Sequence, residues 1–247
     1  MKHYQRLEGM VAATFTPMDA RGDINLSVID KYADLMAESG MAGVFVCGTT
    51  GESHSLTTGE RKAILAQWIK SARKRFKVIA HVGSNCQLEA MELARHAQEV
   101  EADAFAAMAP CFFKPSSVKD LVDFFTPIAQ SAPDLPFYYY NMPSMTGVSL
   151  SVPSFLIEGK KTMPNLVGTK FTHNNLMEMG ECLELNNGEF EVLHGYDEIL
   201  IAGLALGAVA GVVVPTIIYL LYIRIFLMRS RKVISVLLAG CSRSRLK

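Results

Sequence analysis

Metal-ligand spacing is missing from this chain of 247 residues. Its five cysteines, Cys47, Cys86, Cys111, Cys182 and Cys241, show neither a C-x-x-C pair nor neighbouring histidines. That argues against a zinc site and fits reduced thiols in a cytosolic protein. No G-x-G-x-x-G follows the first apolar run, which counts against a dinucleotide fold. The N-terminus, Met1 to Arg6, lacks the apolar run and small-residue cleavage site of a signal peptide, so a cytoplasmic location is expected. Acidic residues are also absent after Val212, where seven of the 24 Lys/Arg fall. Residues 1–212 therefore hold 17 basic against 24 acidic side chains, a balance of −7. An acidic body of this kind argues against nucleic acid as a partner.

Half of the chain is hydrophobic, enough for one large domain or a single α/β barrel. Apolar, β-branched runs alternate with amphipathic stretches. Strands are expected at Gly9–Phe15, Gly43–Cys47, Val78–Val82, Ala104–Met108, Leu135–Tyr140, Leu166–Lys170, Glu191–His194 and Gly207–Val212. Helices are expected at Leu26–Glu38, Gly59–Phe76, Cys86–Glu99, Ser117–Ser131, Asn175–Leu185 and Asp197–Leu206. Thr57-Thr58-Gly59-Glu60 has capping-box spacing and marks a helix start. Eight such units closing on themselves make a TIM barrel, an α/β fold whose functional residues stand at the C-terminal strand ends.

That rule gathers Thr49, Thr50, Tyr140, Lys170, Thr172, Gly195 and Asp197 at one mouth. Lysine is a poor strand former, so Lys170 in Val167-Gly168-Thr169-Lys170-Phe171-Thr172 is either a strand-end ammonium reaching water or an amine of lowered pKa held for Schiff-base chemistry. Gly48-Thr49-Thr50-Gly51-Glu52 can cradle a carboxylate with backbone N–H groups and hydroxyls, or form an ordinary Gly/Thr turn; it lacks the lysine of a P-loop. In Tyr138-Tyr139-Tyr140-Asn141-Met142-Pro143, alternation puts Tyr138 and Tyr140 on one face and Tyr139 on the other. A phenol there either moves protons or simply packs. Asp197 and Glu198 in His194-Gly195-Tyr196-Asp197-Glu198 can accept polyol hydroxyls, or Asp197 can cap the next helix. His194 reads as a packed strand residue.

Together the ordered set G-T-T-G-E, Y-N-x-P-S-x-T-G, G-T-K and G-Y-D-E resembles the N-acetylneuraminate lyase and dihydrodipicolinate synthase family of class I aldolases, over residues 7–212. The resemblance implies a Schiff base between Lys170 and pyruvate, a carboxylate held by Thr49 and Thr50, and proton transfer by Tyr140. Thr172, Gly195, Asp197 and Glu198 would line the sugar end. No cofactor or metal is implied beyond the covalent pyruvate adduct. The resemblance further implies a homotetramer acting on small molecules and not on a membrane. Met145 stands where the synthase branch carries an arginine, and Cys111-Phe112-Phe113 where it carries tyrosines. Both departures favour the sialic acid branch: cleavage of N-acetylneuraminate to N-acetylmannosamine and pyruvate.

The tail departs from that pattern, dividing the chain into a barrel, 1–212, and an apolar basic tail, 213–247. Family members continue after the eighth strand with a Gly-Ser-Thr-Tyr-Asn loop and further helices. Here Gly203 to Met228 carries one charge, Arg224, which passes a transmembrane length test. Codons for Val212 to Leu220 can also be chosen that, shifted by one base, read Gly-Ser-Thr-Tyr-Asn-Tyr-Ile-Pro. A one-base deletion leaving residues 213–247 out of frame is therefore expected, with the eighth helix and C-terminal helices replaced and solubility and activity reduced.

Overall fold

The computed structural model describes residues 5–214. Eight parallel strands close in sequence order into one barrel: β1 (Gly9–Ala13), β2 (Gly43–Val46), β3 (Lys77–His81), β4 (Ala104–Met108), β5 (Phe137–Asn141), β6 (Leu166–Phe171), β7 (Glu191–His194) and β8 (Ala210–Val213). Each expected strand is present, β4 and β7 with the expected ends and the others with ends moved by one to three residues. Gly207 has φ +115°, so β8 starts later than its apolar run. Pairing of β8 with both β7 and β1 completes the ring.

Outside the barrel lie α1 (Ile29–Glu38), α2 (Thr58–Ala72), α3 (Gln87–Glu99), α4 (Val118–Gln130), α5 (Pro143–Thr146), α6 (Val152–Lys160), α7 (Leu176–Glu184) and α8 (Leu200–Ala205). Thr57 and Glu60 form the expected capping box, and Ser117 with Asp120 forms a second. Helices α5 and α6 were not expected. Each has a proline in its first two positions, where the missing N–H is harmless.

Alternation within each strand sorts the core. Phe45, Ile79, Ala106, Tyr138, Leu193 and Val212 point into the barrel. Tyr139 points outward, its ring centre 4.6 Å from Phe155 and 5.5 Å from Phe125. Burial of each such aromatic contributes about 1.5–3 kcal/mol. At the N-terminal end of the barrel, buried Glu191 accepts from Tyr138 Oη at 2.9 Å and Leu7 N at 3.1 Å. A carboxylate placed there needs such donors.

Glycine is required where β6 meets β7. A Cβ on Gly168 would stand 2.0 Å from the Glu191 carbonyl oxygen, its partner in register. No helix among the described residues is long and apolar enough to cross a membrane. Most of the tail, from residue 215 on, and with it the expected frameshift and replaced eighth helix, lies outside the described residues.

Candidate active site

Lys170 is the penultimate residue of β6 and pairs in register with Tyr140 of β5. The lysine is only 4% exposed. Nζ donates to Thr172 Oγ1 at 3.0 Å and lies 3.6 Å from the centre of the Tyr140 ring and 5.1 Å from that of Phe45. Burial lowers the Lys170 pKa; the charges of Tyr140 and Asp197 oppose that without reversing it. The strand-end reading with an ammonium in water is therefore set aside. An amine with a depressed pKa holds a larger neutral, nucleophilic fraction than a free lysine.

Tyr140 Oη stands 3.2 Å from Thr49 Oγ1. Met142 Sδ lies 3.2 Å from Tyr140 Oη and 3.5 Å from Thr49 Oγ1. Burial raises the Tyr140 pKa, but the charge of Lys170 and hydrogen bonds with Lys170, Thr49 and Thr172 together outweigh it, so the net shift is downward. A phenol biased toward ionisation beside an amine biased toward neutrality is an arrangement between whose members a proton can move. Thr50 is half-buried next to Thr49 in the loop after β2. Among the described residues no hydrogen bond joins it to Lys170 or Tyr140.

Gly195 follows β7 and closes over the amine. A Cβ there would lie 2.2 Å from Thr172 Oγ1 and 3.3 Å from Lys170 Nζ. Asp197 is half-buried and acts electrostatically on Lys170, while Glu198 is exposed. Neither the short 3₁₀ turn Asp197–Ile199 nor α8 has a side-chain cap at its start, so the helix-capping alternative for Asp197 is not realised. His194 is packed as expected, with Nε2 donating to the Tyr196 carbonyl at 2.9 Å and Nδ1 3.3 Å from Met179 Sδ. The structure thus brings Lys170, Tyr140, Thr49, Thr172 and Gly195 together, with Asp197 within electrostatic reach.

Sequence reasoning missed His81, Arg61 and Met142. His81 ends β3 on the inward face, two residues after Ile79, so the strand-end rule applied to it as well. Arg61 is buried, donating to the carbonyls of Gly83 at 2.9 Å and His81 at 2.8 Å. Nothing in a helical pattern announces an arginine turned inward.

A cavity of about 360 Å³ opens beside Thr49, lined by Ser53, His54, Met108, Cys111 and Met145. One of about 370 Å³ lies at the opposite end of the barrel around Leu7, Ile79 and Tyr138, and none of the site's side chains line it. The first is at the end where Lys170, Tyr140, Thr49 and Thr172 converge and where barrel active sites lie.

Residues 6–227 match the model of the dihydrodipicolinate synthetase family. The chain belongs to this family. The match runs past residue 212, where the motifs end. Over 211 residues this dihydrodipicolinate synthetase family chain is 42% identical to N-acetylneuraminate lyase of Mus musculus, covering 84% of this chain and 66% of that protein. It is 44% identical over 206 residues to N-acetylneuraminate lyase of Xenopus tropicalis, covering 83% and 67%. Among solved structures, Proteus mirabilis N-acetylneuraminate lyase superposes with TM-score 0.82 at 38% identity, covering 84% of this chain and 70% of that one. The native N-acetylneuraminate lyase (sialic acid aldolase) of Aliivibrio salmonicida gives 0.82 at 41%, covering 84% and 69%. The family chain spans about two thirds of the length of these relatives.

Proposed function

We propose that this protein is a carbon–carbon lyase cleaving N-acetylneuraminate to N-acetylmannosamine and pyruvate through a Schiff base on Lys170. The observation that carries the reading is a buried amine of lowered pKa, 3.6 Å from the ring of Tyr140, in a chain over 40% identical to proteins of that name.

In this reading the neutral Lys170 amine adds to the keto carbon, and the former carbonyl oxygen takes up a proton in addition to the one from the amine and leaves as water, giving a protonated imine. Tyr140 takes the proton of the substrate hydroxyl that becomes the aldehyde. The carbon–carbon bond breaks and its electron pair enters the imine, leaving an enamine rather than a bare carbanion. Protonation of the enamine carbon and hydrolysis then release pyruvate and regenerate Lys170. Thr49 and Thr50 hold the carboxylate; Thr172, Gly195, Asp197 and Glu198 face the polyol. Met145, 60% exposed, offers no charge for a second carboxylate, which favours a sugar acceptor over an amino-aldehyde one. No cofactor takes part.

Two further parts belong to this proposal. The protein works as a cytoplasmic homotetramer; Phe112 and Phe113, 76% and 86% exposed, support burial of this face between copies. The expected boundary at 212 moves by one, since β8 runs to Val213; the functional barrel ends there, and the rest of the chain to 247 is an out-of-frame tail, which the nucleotide sequence at Val212 tests directly.

Borohydride trapping with pyruvate tests the reading. Reduction should add the pyruvate skeleton to Lys170 alone, and a Lys170→Ala chain should stay unlabelled. Release of N-acetylmannosamine from N-acetylneuraminate, with no condensation of pyruvate and aspartate semialdehyde, distinguishes the lyase from a synthase. An unlabelled parent chain would overturn the Schiff-base assignment.

A further inference from the structure

One buried titratable side chain at the mouth of the barrel has no part in the chemistry above. His81 is 3% exposed and turns inward at the end of β3. Its Nδ1 lies 2.8 Å from the carbonyl oxygen of Cys47. A carbonyl can only accept, so Nδ1 carries the proton. The approach of Arg61 Nη2 to the same nitrogen, 3.5 Å, is then a contact between two donors, and the guanidinium donates instead to the His81 carbonyl at 2.8 Å.

Burial, reinforced by the charge of Arg61, holds the His81 pKa well below its ordinary value, so the ring is neutral. Its Nε2 is a bare acceptor without a protein partner among the described residues. That nitrogen occupies the space left by glycine at position 83, where a Cβ would stand 2.7 Å away. The ring is thus held on one edge by the Cys47 carbonyl, and its other edge needs the space that a glycine at 83 leaves open.

What it holds matters more. Cys47 has φ +54°, a left-handed conformation that disfavours a side chain. The turn through Cys47 and Gly48 delivers Thr49, whose hydroxyl is 3.2 Å from Tyr140 Oη. On its other side the His81 ring meets the Tyr140 ring edge to face, with centres 5.6 Å apart and planes at 85°. One imidazole therefore touches both the backbone that sets Thr49 and the ring that carries the phenol.

We propose that His81 is a positioning residue: its Nδ1–H bond to the Cys47 carbonyl and its contact with the Tyr140 ring hold Thr49 and Tyr140 in register for carboxylate binding and proton transfer. This rests on the Schiff-base reading of the site. Loss of the bond lets the left-handed turn relax, and small misplacements of positioning groups are costly in rate.

The test uses the full chain and three variants. His81→Asn keeps an N–H donor close to the place of Nδ1, His81→Gln moves it outward, and His81→Leu removes it. The first readout is the pyruvate concentration that gives half-maximal borohydride trapping on Lys170; the second is kcat for N-acetylneuraminate cleavage. The Leu and Gln variants should need roughly 10-fold more pyruvate and lose roughly 10-fold in kcat; His81→Asn, which keeps the donor but not the ring against Tyr140, should stay within about 3-fold of the parent in half-saturation while losing kcat. A merely structural role would reduce the amount of protein that can be labelled without moving the half-saturation point. Should the Leu variant fail to fold, the Asn and Gln pair decides, and equal values for those two would overturn the proposal. Trapping in the parent with unchanged half-saturation in every variant sinks the positioning role alone. No trapping in the parent overturns the Schiff-base reading and this inference with it.

Discussion

Nζ of Lys170 lies over the face of the Tyr140 ring, 3.6 Å from its centre, and donates a hydrogen bond to Thr172 Oγ1 at 3.0 Å. The phenol oxygen also faces Thr49 Oγ1 and Met142 Sδ, 3.2 Å from each. A ring face beneath an amine stabilises its charged form by about 0.5–2 kcal/mol, yet leaves the amine's lone pair unblocked once the proton is lost. Amine and phenol thus interact without quenching each other.

Removal of the phenol oxygen separates their roles. Tyr140→Phe keeps the ring under Lys170 and should still trap pyruvate at near-parental yield. Turnover of N-acetylneuraminate should fall by roughly 10²–10⁴-fold, the usual range for loss of a proton-transfer group. Equal loss of trapping and turnover would mean that the ring, not the oxygen, is what the site needs.

Gly195→Ala places a methyl carbon where Thr172 Oγ1 now stands, 2.2 Å away, and 3.3 Å from Nζ. The hydroxyl is the end of a rotatable side chain, so the fold should tolerate the change at a cost of about 1 kcal/mol. The Lys170–Thr172 hydrogen bond should not survive it, and activity should drop by at least ~10-fold. Urea melts set beside turnover check the split.

Gly168→Ala is the opposite case. Its added carbon would meet backbone, the Glu191 carbonyl oxygen at 2.0 Å, in the β6–β7 pairing. Backbone in a closed sheet cannot rotate away, so destabilisation of ~3 kcal/mol is expected, read as a fall in the denaturant midpoint and in soluble yield. Parental stability would contradict the tight β6–β7 approach.

The pH response has a defined sign at two places. Because the Lys170 pKa lies below its ordinary 10.5, the rate of pyruvate trapping should rise with pH and level off below that value. A midpoint at or above 10.5 would remove the case for a desolvated amine. For stability, the folded His81 pKa lies well below its ordinary 6.5, so below about pH 6.5 the unfolded chain takes up a proton that the folded chain refuses. Stability is therefore lost as pH falls, by up to about 1.4 kcal/mol per pH unit from this residue. His54 and His194, also shifted downward by burial, act in the same direction. Urea titrations at several pH values should show that slope, reduced in His81→Asn.

Much of the site was readable because strand ends are local. The run ending at Lys170, the triple tyrosine and the Gly/Thr loop each carry their own turn chemistry and alternation, and strands 5 and 6 are neighbours in the chain. Tyr140 beside Lys170 follows from that order once the sheet is parallel. His81 escaped because its role depends on the Cys47 carbonyl, 34 residues earlier, and on a left-handed φ that no side chain announces. Helix α6 escaped because Pro153 reads the same whether it breaks a helix or starts one.

The sequence by itself determined the period-two and helical patterns, their count of eight strands, and which polar residues end those strands. These depend only on bonded geometry and side-chain direction along one segment. The tertiary structure alone decided that the ring closes between β8 and β1, that a Cβ at Gly168 would meet backbone and one at Gly195 the Thr172 hydroxyl, and that Lys170 is buried among Phe45, Tyr140 and Gly195. Burial of Lys170 is what lowers its pKa, because desolvation is imposed by neighbours up to 125 residues away in the chain.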